Sequence, residues 1–252
     1  MKTDSDASFS KVPEVALIFW IIKIAATTLG ETAGDAASMS MDLGYLASTG
    51  IFAIVFMVAV VAQIAAKRFH PVLYWITIIA TTTVGTTLAD FADRSLGIGY
   101  AGGTTLLLAL LLASLFTWYR TLGSVAVDSV CSPKAETFYW VTIMLSQTLG
   151  TALGDWTADT AGLGYLGAGA IFGGLLLLIA LAGFLTRCSR AVLFWLAFIL
   201  TRPLGAVVGD YLDKPINEGG LALSRYSASA CLLVFIGVCI FAIPQKAAEK
   251  GH

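Results

Sequence analysis

The chain has 252 residues, 58% hydrophobic and 12% charged, with a formal net charge of −1 and mean hydropathy +0.84. Soluble domains carry about twice that charged share, so an aqueous fold is excluded and lipid is the expected solvent. The balanced charge leaves no basic footprint for nucleic acid. The four Cys (131, 188, 231, 239) and two His stand in no ligand spacing, which argues against soft-metal and haem sites.

In chain order, residues 1–13 form a polar tail expected to be cytoplasmic and mobile. Eight apolar segments follow, near 14–35, 43–66, 71–92, 98–120, 136–157, 163–187, 190–212 and 220–244, each of about 20 residues and long enough to span a bilayer. The first, over Val15 to Gly30, lacks a cleavage site and is expected to be retained. Residues 14–120 make a first membrane half, 121–135 a cytoplasmic loop with Gly123 and Pro133, 136–244 a second half, and 245–252 a polar C-terminal tail.

The odd-numbered segments carry one phrase four times: a Trp, a Gly ten residues on, and an Asp five beyond that. The copies are Trp20/Gly30/Asp35, Trp75/Gly85/Asp90, Trp140/Gly150/Asp155 and Trp195/Gly205/Asp210. Gly-Tyr follows in the first three (Gly44-Tyr45, Gly99-Tyr100, Gly164-Tyr165), and Gly219-Gly220 in the fourth. Each repeat is therefore a helical hairpin, and two spans per repeat make all four parallel, related by an axis along the membrane normal. Small-xxx-small pairs such as Gly30/Gly34 and Gly205/Gly209 predict close helix contacts. The Trp residues, about 22 Å from the Asp residues along an ideal helix, predict interfacial anchors.

Lys and Arg set the orientation. Lys2, Lys11, Lys67, Arg68, Arg120, Lys134, Arg187, Arg190, Lys246 and Lys250 share one side, against Arg94, Lys214 and Arg225 on the other. Both termini are then expected in the cytoplasm, with the Asp-bearing turns outside.

Steps of four residues back from each Asp follow one helix face. They give Asp35, Glu31, Thr27 and Lys23; Asp90, Thr86 and Thr82; Asp155, Thr151 and Gln147; and Asp210, Ala206 and Arg202. Charge facing lipid costs roughly 2.5–3.5 kcal/mol at mid-bilayer, so these stripes should face one another around a polar cavity. Carboxylates at Asp35, Asp90, Asp155, Asp210 and Glu31 suit a hard divalent cation such as manganese. Clustered carboxylates also repel, so some are expected to hold protons that a cation would displace. Lys23, Thr27, Thr82, Thr86, Gln147, Thr151 and Arg202 would line the pathway. Lys23 and Arg202 equally allow a small-anion transporter or channel, and the repeats alone would suit a non-transporting scaffold or accessory subunit.

The four W-x9-G-x4-D hairpins resemble a bacterial family of uncharacterised membrane-anchored proteins over about Lys11 to Pro244, which implies an inner-membrane location and this fold. Glu31-Thr-Ala-Gly34-Asp35 is similar to the E-x-G-D signature of manganese and calcium exporters, with one extra residue between Glu and Gly. Gly154-Asp155 and Gly209-Asp210 echo intramembrane aspartyl proteases, but neither G-x-G-D nor Y-D occurs. The expectation is an all-α polytopic membrane protein of eight transmembrane helices, not an enzyme and without a resident cofactor. It would export a divalent cation in exchange for protons, with lipid as its partner and a homo-oligomer allowed.

Overall fold

The computed structural model describes residues 10–248. The ends of both tails, with Lys2, Lys250 and His252, lie outside the described residues. Eight long helices account for the architecture: α1 Leu17–Asp35, α2 Gly44–Ala65, α3 Pro71–Asp90, α4 Tyr100–Leu122, α5 Pro133–Asp155, α6 Gly164–Leu185, α7 Arg190–Asp213 and α8 Arg225–Ala242. No strand forms among the described residues beyond an isolated bridge between Pro13 and Ala247.

Local chemistry sets the ends of these helices. Pro71 and Pro133 open α3 and α5, where a missing N–H costs nothing. Ser132 caps α5 by accepting from the Ala135 N–H at 3.2 Å. Gly123, at φ +75, ends α4 in the left-handed region that suits glycine. Helices α1, α3 and α5 each widen into a π-helical turn directly after the repeat Asp, over Ala36–Ser40, Phe91–Ser95 and Trp156–Thr160. Copy four differs because Lys214 precedes Pro215. A residue before proline is pushed out of the α region, and Lys214 is extended at φ −70, ψ 154.

The odd helices form the inside of the molecule. Helix α1 packs against α3 and α7, and α5 against the same two, closing a four-helix square. The even helices lie outside it, each mainly on the inner helix of the next repeat: α2 on α3, α4 on α5, α6 on α7, and α8 back on α1. No hairpin completes its own packing, and the ring closes only when the last repeat meets the first.

Seven of the eight helices are long and apolar enough to cross a membrane. Helix α5 is the exception, because Lys134, Glu136, Ser146, Gln147, Thr148 and Thr151 dilute its hydropathy. The outer helices expose Ile54, Val58, Leu177, Leu178 and Phe241, an apolar exterior of the kind that suits lipid.

Two expectations need correction. Three of the four repeat Trp residues are not interfacial anchors: Trp75, Trp140 and Trp195 are buried, and only Trp20 is half-buried. They join Phe19, Tyr74, Tyr139, Phe194 and Phe198 in an aromatic layer across one end of the square, with many edge-to-face contacts. Their N–H groups serve the chain folded over that end: Trp75 Nε1 donates to Gln245 Oε1 at 2.7 Å, and Trp195 Nε1 to the Val125 carbonyl at 2.9 Å. Nor are the described parts of the tails loose. Lys11 Nζ pairs with Glu136 Oε1 at 2.8 Å, the Glu14 N–H donates to the Lys246 carbonyl at 2.9 Å, and the Ala248 N–H to that of Val12 at 2.8 Å. The described parts of both tails are thus fastened over the Trp end of the bundle.

Candidate functional site

The four-residue steps along the inner helices become stacked layers around the axis, about 6 Å apart by helical rise. From the Asp end inward they are Asp35/Asp90/Asp155/Asp210; Glu31/Thr86/Thr151/Ala206; Thr27/Thr82/Gln147/Arg202; Lys23/Ile78/Ile143/Phe198; and Phe19/Tyr74/Tyr139/Phe194, all of them buried.

Glycines allow the layers to close. A Cβ on Gly30 would strike Thr82, one on Gly150 would strike Arg202, and one on Gly205 would strike Thr27; on Gly85 it would lie 3.0 Å from Gln147. Each glycine thus receives the third-layer side chain of a neighbouring repeat, in cyclic order. Gly34 against Thr86 at 3.1 Å, Gly154 against Ala206 at 3.2 Å and Gly209 against Glu31 at 2.6 Å repeat the pattern one turn outward. Small residues here bring the polar stripes into contact.

The outermost layer is not a solvated rim. Its four Asp side chains are buried and bridged by two basic residues. Lys214 Nζ lies 2.6 Å from Asp35 Oδ2 and 3.0 Å from Asp210 Oδ1. Arg94 Nε lies 3.0 Å from Asp90 Oδ1, and its Nη2 3.7 Å from Asp155 Oδ2. Arg225 adds a third cation, 2.7 Å from Asp213 Oδ2 and 3.6 Å from Asp35 Oδ2. Burial works against the Lys214 charge, but Asp210, Asp35 and Asp213 outweigh it and hold the ammonium above the ordinary lysine value.

One turn deeper, Glu31 (3% exposed) faces Arg202 (0% exposed). Arg202 Nη2 donates to Glu31 Oε2 at 3.0 Å, to Thr151 Oγ1 at 2.6 Å and to Thr86 Oγ1. Thr86 Oγ1 donates in turn to Glu31 Oε2 at 3.3 Å. The Thr27 and Thr82 carbonyls accept from Arg202 at 3.5 Å. Lys23 stands apart from the carboxylates: its Nζ donates to Gln147 Oε1 at 3.4 Å and lies 4.1 Å from the Phe198 ring centroid.

Carboxylate oxygens gather in three groups, each within 4.8 Å: Glu31, Asp35 and Asp90; Glu31, Asp155 and Asp210; and Asp35, Asp210 and Asp213. Glu31 is common to the first two. Asp155 Oδ1 is buried without a hydrogen-bond partner. All five residues expected as ligands therefore meet, and all seven expected along the pathway lie in the layers beneath them. The sequence reading missed Asp213 and the roles of Arg94, Lys214 and Arg225. A signal was present: a basic residue four positions after the Asp in copies two and four, where copies one and three have Met39 and Asp159.

Residues 18–69, 73–124, 138–189 and 193–243 each match the family described as Repeat of Unknown Function (DUF347). No curated protein and no solved structure matches the chain. The four matches cover most of its length and coincide with the four hairpins, so the chain belongs to that family.

Proposed function

We propose that this ring of four DUF347 repeats is a membrane transporter that exchanges a hard divalent cation, manganese being the first candidate, for protons. The observation that carries this reading is the charge inventory of the buried cluster. Six carboxylates (Glu31, Asp35, Asp90, Asp155, Asp210 and Asp213) meet four basic side chains, Arg94, Arg202, Lys214 and Arg225. Each carboxylate has a basic neighbour, but Arg94 and Lys214 each serve two, so six acidic groups against four basic ones leave an excess of two negative charges, which one divalent cation or two protons would neutralise. An all-oxygen donor set selects hard cations over soft ones. The orphaned Asp155 Oδ1 lies in the Glu31/Asp155/Asp210 group, which is the favoured seat.

The basic residues Lys11, Lys67, Arg68, Arg120, Lys134, Arg187, Arg190 and Lys246 favour a cytoplasmic Trp end in a bacterial inner membrane, with the carboxylates toward the outer face. The direction proposed is export, with protons entering in exchange. The aromatic layer would then be the inner closure, and Arg94, the most exposed of the bridging cations at 35%, the outer one.

The test is flux of a metal panel into proteoliposomes under an imposed pH gradient. Wild-type protein should move Mn²⁺ with counterflow of about two protons per ion, the ratio set by charge balance. The Asp155→Asn/Asp210→Asn variant should lose it while remaining folded. Flux unchanged in that variant, or no divalent flux from folded wild-type protein, would sink the reading. The packed aromatic end would then favour a structural role.

A further inference from the structure

Apart from the pairing of Arg202 with Glu31, the third layer and the lysine beneath it have no part in the cation reading, and their chemistry is opposite. The unpartnered polar groups on this level are mainly donors. Arg202 Nε and Gln147 Nε2 are buried and have no hydrogen-bond partner, and the Thr82 hydroxyl is likewise unpartnered. Lys23 Nζ has one long bond, to Gln147 Oε1 at 3.4 Å, although an ammonium carries three donors. These four side chains come from α3, α5, α7 and α1, one from each repeat.

The charges are uneven as well. Arg202 is paired with Glu31. Lys23 has no carboxylate within 4.0 Å among the described residues, and its layer is otherwise Ile78, Ile143 and Phe198, all fully buried. The Phe198 ring face offers only a weak substitute for a counter-charge. A buried cation without a partner is costly to desolvate, and buried donors are ordinarily satisfied.

We infer that the level between Lys23, Thr82, Gln147 and Arg202 binds one small monovalent anion of the chloride class. A single negative charge matches the single uncompensated lysine. An anion accepts from every donor there, whereas a metal cation would find only Gln147 Oε1 and hydroxyl or backbone oxygens beside two positive charges. Bound in this place, the anion neutralises Lys23 and leaves the carboxylate inventory above it unchanged. The site stands independently of metal transport.

The experiment is thermal unfolding of the purified full-length protein in detergent, in sodium chloride, bromide or gluconate at equal ionic strength, beside the Lys23→Met variant. Methionine fills the same space in an apolar layer, so the variant should fold. Wild-type protein should melt at a higher temperature in chloride or bromide than in gluconate, saturably with halide concentration, and the variant should lose this dependence. Crystals grown in bromide should show an anomalous peak beside Lys23 in wild-type protein alone. Equal melting in halide and gluconate, or a halide shift that persists in Lys23→Met, would overturn the assignment. Should the variant fail to fold, the bromide peak in wild-type crystals decides, and its absence rejects the site.

Discussion

Lys214 Nζ lies 2.6 Å from Asp35 Oδ2, joining the last repeat to the first across 179 residues of sequence. Arg94 forms the corresponding link between repeats two and three. The four equivalent Asp residues are therefore held as two bridged pairs. A fourfold backbone carries a twofold charge pattern, in keeping with a chain duplicated first as a hairpin and then as a pair of hairpins.

These bridging cations act as tethered counter-ions, and Lys214→Gln should leave one more carboxylate charge unmatched. Mn²⁺ should then bind more tightly to the purified protein, with a severalfold lower Kd in a competition titration, and should exchange more slowly in proteoliposomes. Arg94→Gln should act in the same direction. Weaker binding in both folded variants would mean that the basic residues do not compete with the metal.

Removing one partner of a buried ion pair strands the other. Arg202→Gln should cost about 3–5 kcal/mol of stability, because Glu31 is left buried without its counter-charge. The Glu31→Gln/Arg202→Gln double variant should recover part of that loss. Chemical unfolding of the two variants in parallel measures the coupling; a double variant less stable than the single would contradict it.

The glycine contacts differ sharply in tolerance. An alanine at Gly205 would press on the Thr27 side chain and lie 2.9 Å from its carbonyl carbon, whereas nothing lies within 4 Å of a Cβ on Gly174. Gly205→Ala should therefore destabilise by about 1–3 kcal/mol through overpacking. Gly174→Ala should be neutral or stabilise by up to about 1 kcal/mol, as expected within a helix. Melting of the two variants is the comparison, and Thr27→Gly in the Gly205→Ala background should restore part of the loss.

Burial of the repeat tryptophans has a spectroscopic consequence. In single-Trp variants reconstituted with brominated lipid, emission from Trp75, Trp140 or Trp195 should resist quenching, while Trp20, half-exposed, should be quenched. Trp75→Phe should in addition free Gln245, costing about 0.5–1.5 kcal/mol, the worth of an ordinary hydrogen bond. It should also speed proteolysis beyond Ile243.

Much of the candidate site was legible because a helix has a fixed period. Steps of four from Asp35 to Glu31, Thr27 and Lys23 named residues that stack in space, and the same steps in the other copies completed each layer. Helical period fixes which residues share a face, however, and not what that face meets. The four Trp residues sit in register at helix ends, where an interfacial anchor and a buried aromatic plug read alike. Their burial followed from the tails and the 121–134 segment folding over them, which no local pattern announces.

The sequence by itself determined four parallel hairpins, their apolar exterior and the residues of each polar stripe, since these depend on hydropathy and period within a single helix. Only the tertiary structure decided the partners: Glu31 with Arg202, Lys214 with Asp35 and Asp210, and Arg94 between Asp90 and Asp155. Charges pair across helices according to the order in which the helices close around the axis. That order was fixed by each outer helix packing on the next repeat and by glycines that let neighbouring stripes touch.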